Sequence, residues 1–203
     1  MEYSRANVAG VLLFVAVSQF IMGIMVAEAL YPGYSIHDNY VSDLGIGPSH
    51  TIFNLSVFLF GLLSVIGVYF LRHMPGFKTV NILFSLMAIG AMGVGLFTKD
   101  FTLVHGAFSS MTFFFAGLSA VASARLVKKP FSMLGIVFGV ITLGALGLFS
   151  IGIITSGSMT SDIAYDSIFY LGLGPGGMER MIIYPGLMWL AGFSGYLATK
   201  RED

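Results

Sequence analysis

The chain has 203 residues, 56% of them apolar and only 10% charged, with a mean hydropathy of +0.88, whereas an ordinary soluble domain is roughly 25% charged. Ten Lys plus Arg balance ten Asp plus Glu, so no basic surplus exists to track a phosphate backbone, which excludes nucleic acid as a partner. The absence of Cys excludes disulfides, thiolate nucleophiles and Cys-ligated metals.

A helix needs about 20 mostly apolar residues to cross a hydrocarbon core of about 30 Å. Six stretches meet or approach that length: Val8 to Leu30, Ile52 to Leu71, Val80 to Phe97, Gly106 to Leu126, Phe131 to Ile154 and Met181 to Thr199. They predict an all-α, polytopic integral membrane protein with six transmembrane helices, one membrane domain over residues 1–203. The breaks carry turn residues: Tyr31-Pro32-Gly33, Met74-Pro75-Gly76, Lys129-Pro130 and a Gly-rich stretch at 172–177. Ala27-Glu28-Ala29 mimics a signal-peptide cleavage pattern, but the apolar run before it is long for an h-region and reads as a span.

Positive charge sets the orientation. Arg5, Arg72, Lys78, Arg125, Lys128, Lys129, Lys200 and Arg201 fall on the side of the termini, against Lys99 and Arg180 on the other. Both termini are therefore expected in the cytoplasm of a multi-pass cell-membrane protein, with outer loops at about 31–51, 98–106 and 155–180. Gly90 and Gly93 in span three, and Gly135 and Gly139 in span five, suit close helix packing in lipid. The 19 Phe and 12 Met read as lipid-facing and core filler. Tyr3, Tyr31, Tyr34, Tyr40, Tyr165 and Tyr170 read as an interfacial belt.

The acidic groups segregate oppositely. Glu28, Asp38, Asp43, Asp100, Asp162, Asp166 and Glu179 lie on the outer side with His37, His50 and His105. Exclusion of Lys and Arg from outer loops accounts for the carboxylates and less well for the histidines. LGIGP at 44–48 recurs as LGLGP at 171–175, each copy ending an outer loop before a span. This suggests a parallel repeat of the first and last hairpins. The N-termini of spans two, four and six would meet there as a cradle for a carboxylate or phosphate, although Gly-Pro also simply turns a chain into a helix. Glu28 near the end of span one, and Glu179 with Arg180 in the first turn of span six, suggest either a Glu28–Arg180 salt bridge or a ligand-facing Arg180. Asn54 and Ser56 extend the polar region into span two.

His37, His50, His105 and Asp100 supply weak metal candidates, but no HExxH or HxxxH spacing joins them. No GxSxG elbow, Walker loop or Rossmann fingerprint occurs, and no cofactor is expected.

NYVSDLGIGP at 39–48 and GGMERMIIYPGLMWLAGFSGYL at 176–197 resemble the archaeal and bacterial membrane family catalogued as domain of unknown function number 998. The resemblance runs along nearly the whole chain and implies six spans and no established reaction. Asn39, Ser42, Leu44, Gly45, Glu179, Arg180 and Pro185 match the family pattern. A fainter likeness in layout exists to the Frag1 and DRAM type of six-span proteins.

Three functions compete. The first is an outer-facing pocket that binds or modifies a lipid or amphiphile headgroup. Its expected ligand-binding residues are Arg180, Glu179, Glu28, Asn39, Ser42, Asn54 and His105, with Asp43 or His50 as general base in the catalytic version. Its partners are membrane lipids and an anionic or amphiphilic ligand. The second is a small transporter or channel, weakened by the lack of midspan charge. The third is a non-catalytic membrane assembly factor or sensor.

Overall fold

A computed structural model describes residues 4–155 and 167–200. Six helices follow the predicted spans: α1 (Arg5–Ala29), α2 (His50–Leu71), α3 (Lys78–Leu96), α4 (Thr102–Ser123), α5 (Phe131–Thr155) and α6 (Gly174–Ala198). Each is long and apolar enough to cross a membrane. Two 3-10 turns, Val41–Gly45 and Ile168–Tyr170, precede α2 and α6.

The sixth helix begins at Gly174, well before the Met181 expected from hydropathy. Four Gly or Pro residues together with Glu179 and Arg180 depress hydropathy over that segment, yet Pro in a first turn forfeits only an N–H that has no helical partner there. Glu179 and Arg180 therefore sit in the second turn of α6 instead of the first.

Each helix packs against its neighbours in sequence, and α6 returns to α1, closing a ring; α4 and α6 also touch over a short seam. Six helices joined in alternation bring both ends of the chain to the same side. There the Asn7 amide donates to the carbonyls of Leu197, Ala198 and Lys200 at 3.3, 3.0 and 3.0 Å, at a helix end where main-chain carbonyls run short of helical donors. Gly10 lets the backbones of α1 and α6 meet: a Cβ there would collide with Ser194 and Ala198 main-chain atoms.

The two related pentapeptides set an offset of 127 residues, from Leu44 to Leu171. At that offset Val41, which opens the first 3-10 turn, falls on Ile168, which opens the second, and Leu71 at the end of α2 falls on Ala198 at the end of α6. Arg5 falls on Ser132, one residue inside α5. A helix, 3-10 turn and helix thus occur twice, flanking the α3–α4 hairpin. Chemistry is not repeated with geometry: Asp43, Glu179 and Arg180 correspond to Tyr170, Ile52 and Phe53.

Burial is uneven around the ring. Half of the most apolar window of α3 and of α6 is buried, but only 22% of that of α4 and α5. A core of Leu13, Ile24, Phe84, Met87 and Phe193 fills the side bounded by α1, α3 and α6. Trp189 stacks on Phe193 at 5.3 Å, and its indole N–H donates to Ser123 Oγ at 3.0 Å, tying α6 to α4.

Candidate functional site

The loop at 31–49 folds over the helix ends opposite the termini and forms a cap. Its first part is a polar turn in which Asn39 N donates to Ser35 O and Ser35 N to Asn39 Oδ1, both at 2.9 Å. Beside it the exposed His37 and Asp38 side chains contact each other at 2.7 Å. Hydrogen bonds from His37 and Ser35 hold the Asp38 carboxyl below the ordinary carboxylate range. The 3-10 turn follows, its start fixed by Asp43 Oδ2 accepting from Tyr40 N at 2.9 Å. It is anchored to α2 by the Asn54 amide, which donates to Gly45 O at 2.9 Å.

Arg180 fastens this cap to the bundle. One terminal nitrogen donates to the carbonyls of Ile36, Asn39 and Gly176 at 3.2, 3.4 and 2.9 Å. The other donates to Glu28 Oε1 at 2.6 Å and to the Tyr34 hydroxyl at 2.8 Å. Of the two alternatives open for Arg180, the salt bridge to Glu28 is formed, and Arg180 is engaged on both of those nitrogens. The planar guanidinium suits this role because its donors fan out in one fixed fork. Gly176 lets the cap lie directly on α6: its N–H donates to His37 O at 3.0 Å, and a Cβ there would collide with the carbonyls of Asn39 and Ile36. At least this part of the α6 N-terminus, expected to help cradle an anion, is occupied by the chain itself.

A second pair closes the cap from the α3–α4 loop. Lys99 forms an ion pair with Asp43 and stands 4.2 Å from the centre of the Tyr40 ring. Tyr40 in turn meets Phe149 of α5 edge-on at 5.8 Å. Burial pushes the Tyr34, Tyr40 and Tyr170 phenols above their ordinary range. The tyrosine belt expected at the interface is thus partly an internal feature: Tyr170 is buried, and Tyr34 and Tyr40 are partly buried in the cap. Tyr3, Tyr165, Asp162 and Asp166 lie outside the described residues.

Below the cap a cavity of about 60 Å³ opens inside the ring. Phe20, Phe60, Met87, Leu187 and Trp189 are among its apolar walls, contributed by α1, α2, α3 and α6. Ser42 of the 3-10 turn, Ser109 and Thr112 of α4, and Glu179 of α6 are polar residues of its lining. Glu179 is only 6% exposed. Its Oε2 accepts from Val41 N at 2.5 Å, and among the described residues its Oε1 has no hydrogen-bond partner.

Glu28, Asn39, Ser42, Asp43, Glu179 and Arg180 therefore converge on the cap and the cavity roof. Asn54 also joins the cap through Gly45 O and His37 lies on its exposed turn, while the remaining histidine candidates and Asp100 make none of these contacts. His50 is exposed, with Nδ1 3.0 Å from Gly47 O. His105 is buried, with Nδ1 2.7 Å from Phe97 O, and Asp100 accepts from the Thr98 hydroxyl at 3.4 Å. Among the described residues no group of three or more His, Asp or Glu side chains is placed to hold a metal ion. The sequence reading missed Tyr34 and Lys99 as cap residues, although a lone Lys beside Asp100 on an otherwise acidic side was a legible signal. It also missed Asn7, just before the first apolar run, and Gln19 within it; the Gln19 amide donates to Ser56 O at 2.9 Å across α1 and α2.

A family model described as "Protein of unknown function (DUF998)" matches residues 8–195, and the chain belongs to that family. No curated protein and no solved structure matches it. Among the motif positions, Asn39, Ser42, Leu44 and Gly45 build the cap, Glu179 and Arg180 join it to α6, and Pro185 lies buried in α6 beside the cavity residue Gly186.

Proposed function

We propose that this chain binds an amphiphile in the bilayer, its apolar segment inside the helix ring and its polar group beneath the cap. The observation that carries the reading is the apolar cavity with a buried carboxylate, Glu179, in its wall. Binding sites for such molecules combine mostly apolar walls with a few placed polar groups. The positive-inside rule puts the cap on the outer face, with both termini cytoplasmic.

At about 60 Å³ the cavity takes only a short apolar segment, since a benzene-binding cavity is about 150 Å³. A longer chain requires one wall to yield. The wall that yields is α4, which has less buried surface than the facing α3 and α6 and therefore opens locally at lower cost. Asp43 and His50 have no catalytic part in this reading. Both Asp43 oxygens are taken, by Lys99 and Tyr40 N, and His50 lies outside the cavity.

The test is native mass spectrometry of the protein extracted with its lipids, followed by thermal unfolding with added twelve-carbon amphiphiles. A ligand at a hundredfold its Kd stabilises by about 2.7 kcal/mol, and filling the cavity with Ala91→Leu is expected to reduce that shift. No retained lipid and equal shifts in both proteins would overturn the reading. Substrate uptake into liposomes would instead support a transporter, and a stoichiometric co-purifying protein an assembly factor.

A further inference from the structure

We infer that the polar group of the bound amphiphile is a protonated amine, held by Glu179 Oε1; this rests on the amphiphile reading above and names its chemical class. The argument begins with charge. Among the described residues, four charged side chains besides Glu179 join the cap to the bundle, and they cancel in two pairs, Glu28 with Arg180 and Asp43 with Lys99. Neither cation is left to receive an anionic headgroup. Glu179 has no ion-pair partner among the described residues, and it is the only Asp, Glu, Lys, Arg or His in the cavity lining.

Hydrogen bonding points the same way. The Val41 N–H occupies Glu179 Oε2 and leaves Oε1 without a donor among the described residues. Ser42 and Ser109 also line the cavity, and among the described residues neither hydroxyl has a hydrogen-bond partner. Thr112 differs, because its hydroxyl donates to Phe108 O at 2.8 Å. The carboxylate oxygen only accepts and the two hydroxyls can accept as well as donate, which together offer three acceptors to an ammonium, with its three N–H donors and no acceptor. A carboxylate or phosphate would place charge against charge beside a buried Glu, a cost that desolvation magnifies.

The experiment compares dodecylamine, 1-dodecanol and dodecanoate, equal in chain length, by thermal shift and native mass spectrometry on the full chain in neutral detergent. The amine is expected to bind at least about tenfold more tightly than the alcohol, a difference of about 1.4 kcal/mol, and dodecanoate least tightly. In Glu179→Gln, which keeps an oxygen for Val41 N, the amine preference should vanish while dodecanol binding persists. Asp38→Asn, which removes an exposed carboxylate of the cap, should leave the preference intact. Equal binding of all three compounds, or an amine preference that survives Glu179→Gln, overturns the headgroup assignment and leaves the amphiphile site standing. Failure of all three to bind overturns both.

Discussion

Arg180 reaches acceptors on α1, on the cap and on its own helix, so its loss is felt at three places at once. Removing one partner of a buried ion pair strands the other, at a cost of about 3–5 kcal/mol. Arg180→Ala is expected to destabilise by that amount in thermal unfolding, and Arg180→Lys to recover little of it, because an ammonium lacks the planar fork. A loss no larger than that of Asp38→Asn would show that the clamp is dispensable. Asn7 acts similarly at the other end: Asn7→Ala removes three hydrogen bonds to the end of α6 and is expected to cost about 1–3 kcal/mol, read as a lowered Tm. The Glu28–Arg180 pair was legible in the sequence because charged residues beside a span have few ways to be neutralised. The remaining Arg180 acceptors were not, since they are main-chain carbonyls and carry no residue signature.

The elements divide into a well-buried part and a peripheral part, and the seams depend on small residues. Gly176 is where the cap lies on α6, and Gly176→Val would drive side-chain atoms into the carbonyls of Ile36 and Asn39. The expected result is a lifted cap, seen as faster proteolysis within 31–49, with the helical content of the bundle retained. Gly195 faces open space on the same helix, so Gly195→Ala is expected to be neutral or to stabilise by up to about 1 kcal/mol, the difference in helix propensity. Equal proteolysis in the two variants would remove the steric argument. Helix positions were readable from hydropathy to within a few residues except at α6, where the opening turns trade apolar side chains for the Gly and Pro that let the cap approach.

At the scale of the whole molecule, charge asymmetry predicts which face carries the cap. The native chain has no Cys, so single replacements report topology without background. In intact cells Asp38→Cys is expected to react with a membrane-impermeant thiol reagent and Lys128→Cys to react only after permeabilisation. The reverse pattern would put the cavity roof at the cytoplasmic face. The ring also explains why a twofold element pattern yields one site. Its roof takes the 3-10 turn from one hairpin and Glu179 from the other, and the equivalent positions, Tyr170 and Ile52, carry no charge.

The sequence by itself determined the number of helices, their apolar character, the segregation of charge between the two ends and the 127-residue echo between hairpins. These follow from local composition and period, which hydropathy and spacing report directly. Only the tertiary structure decided which charges are already satisfied. Whether Arg180 faces a ligand or Glu28 depends on atoms 152 positions apart in the chain, and the unpartnered oxygen of Glu179 emerges only once Val41, 138 positions away, has taken the other.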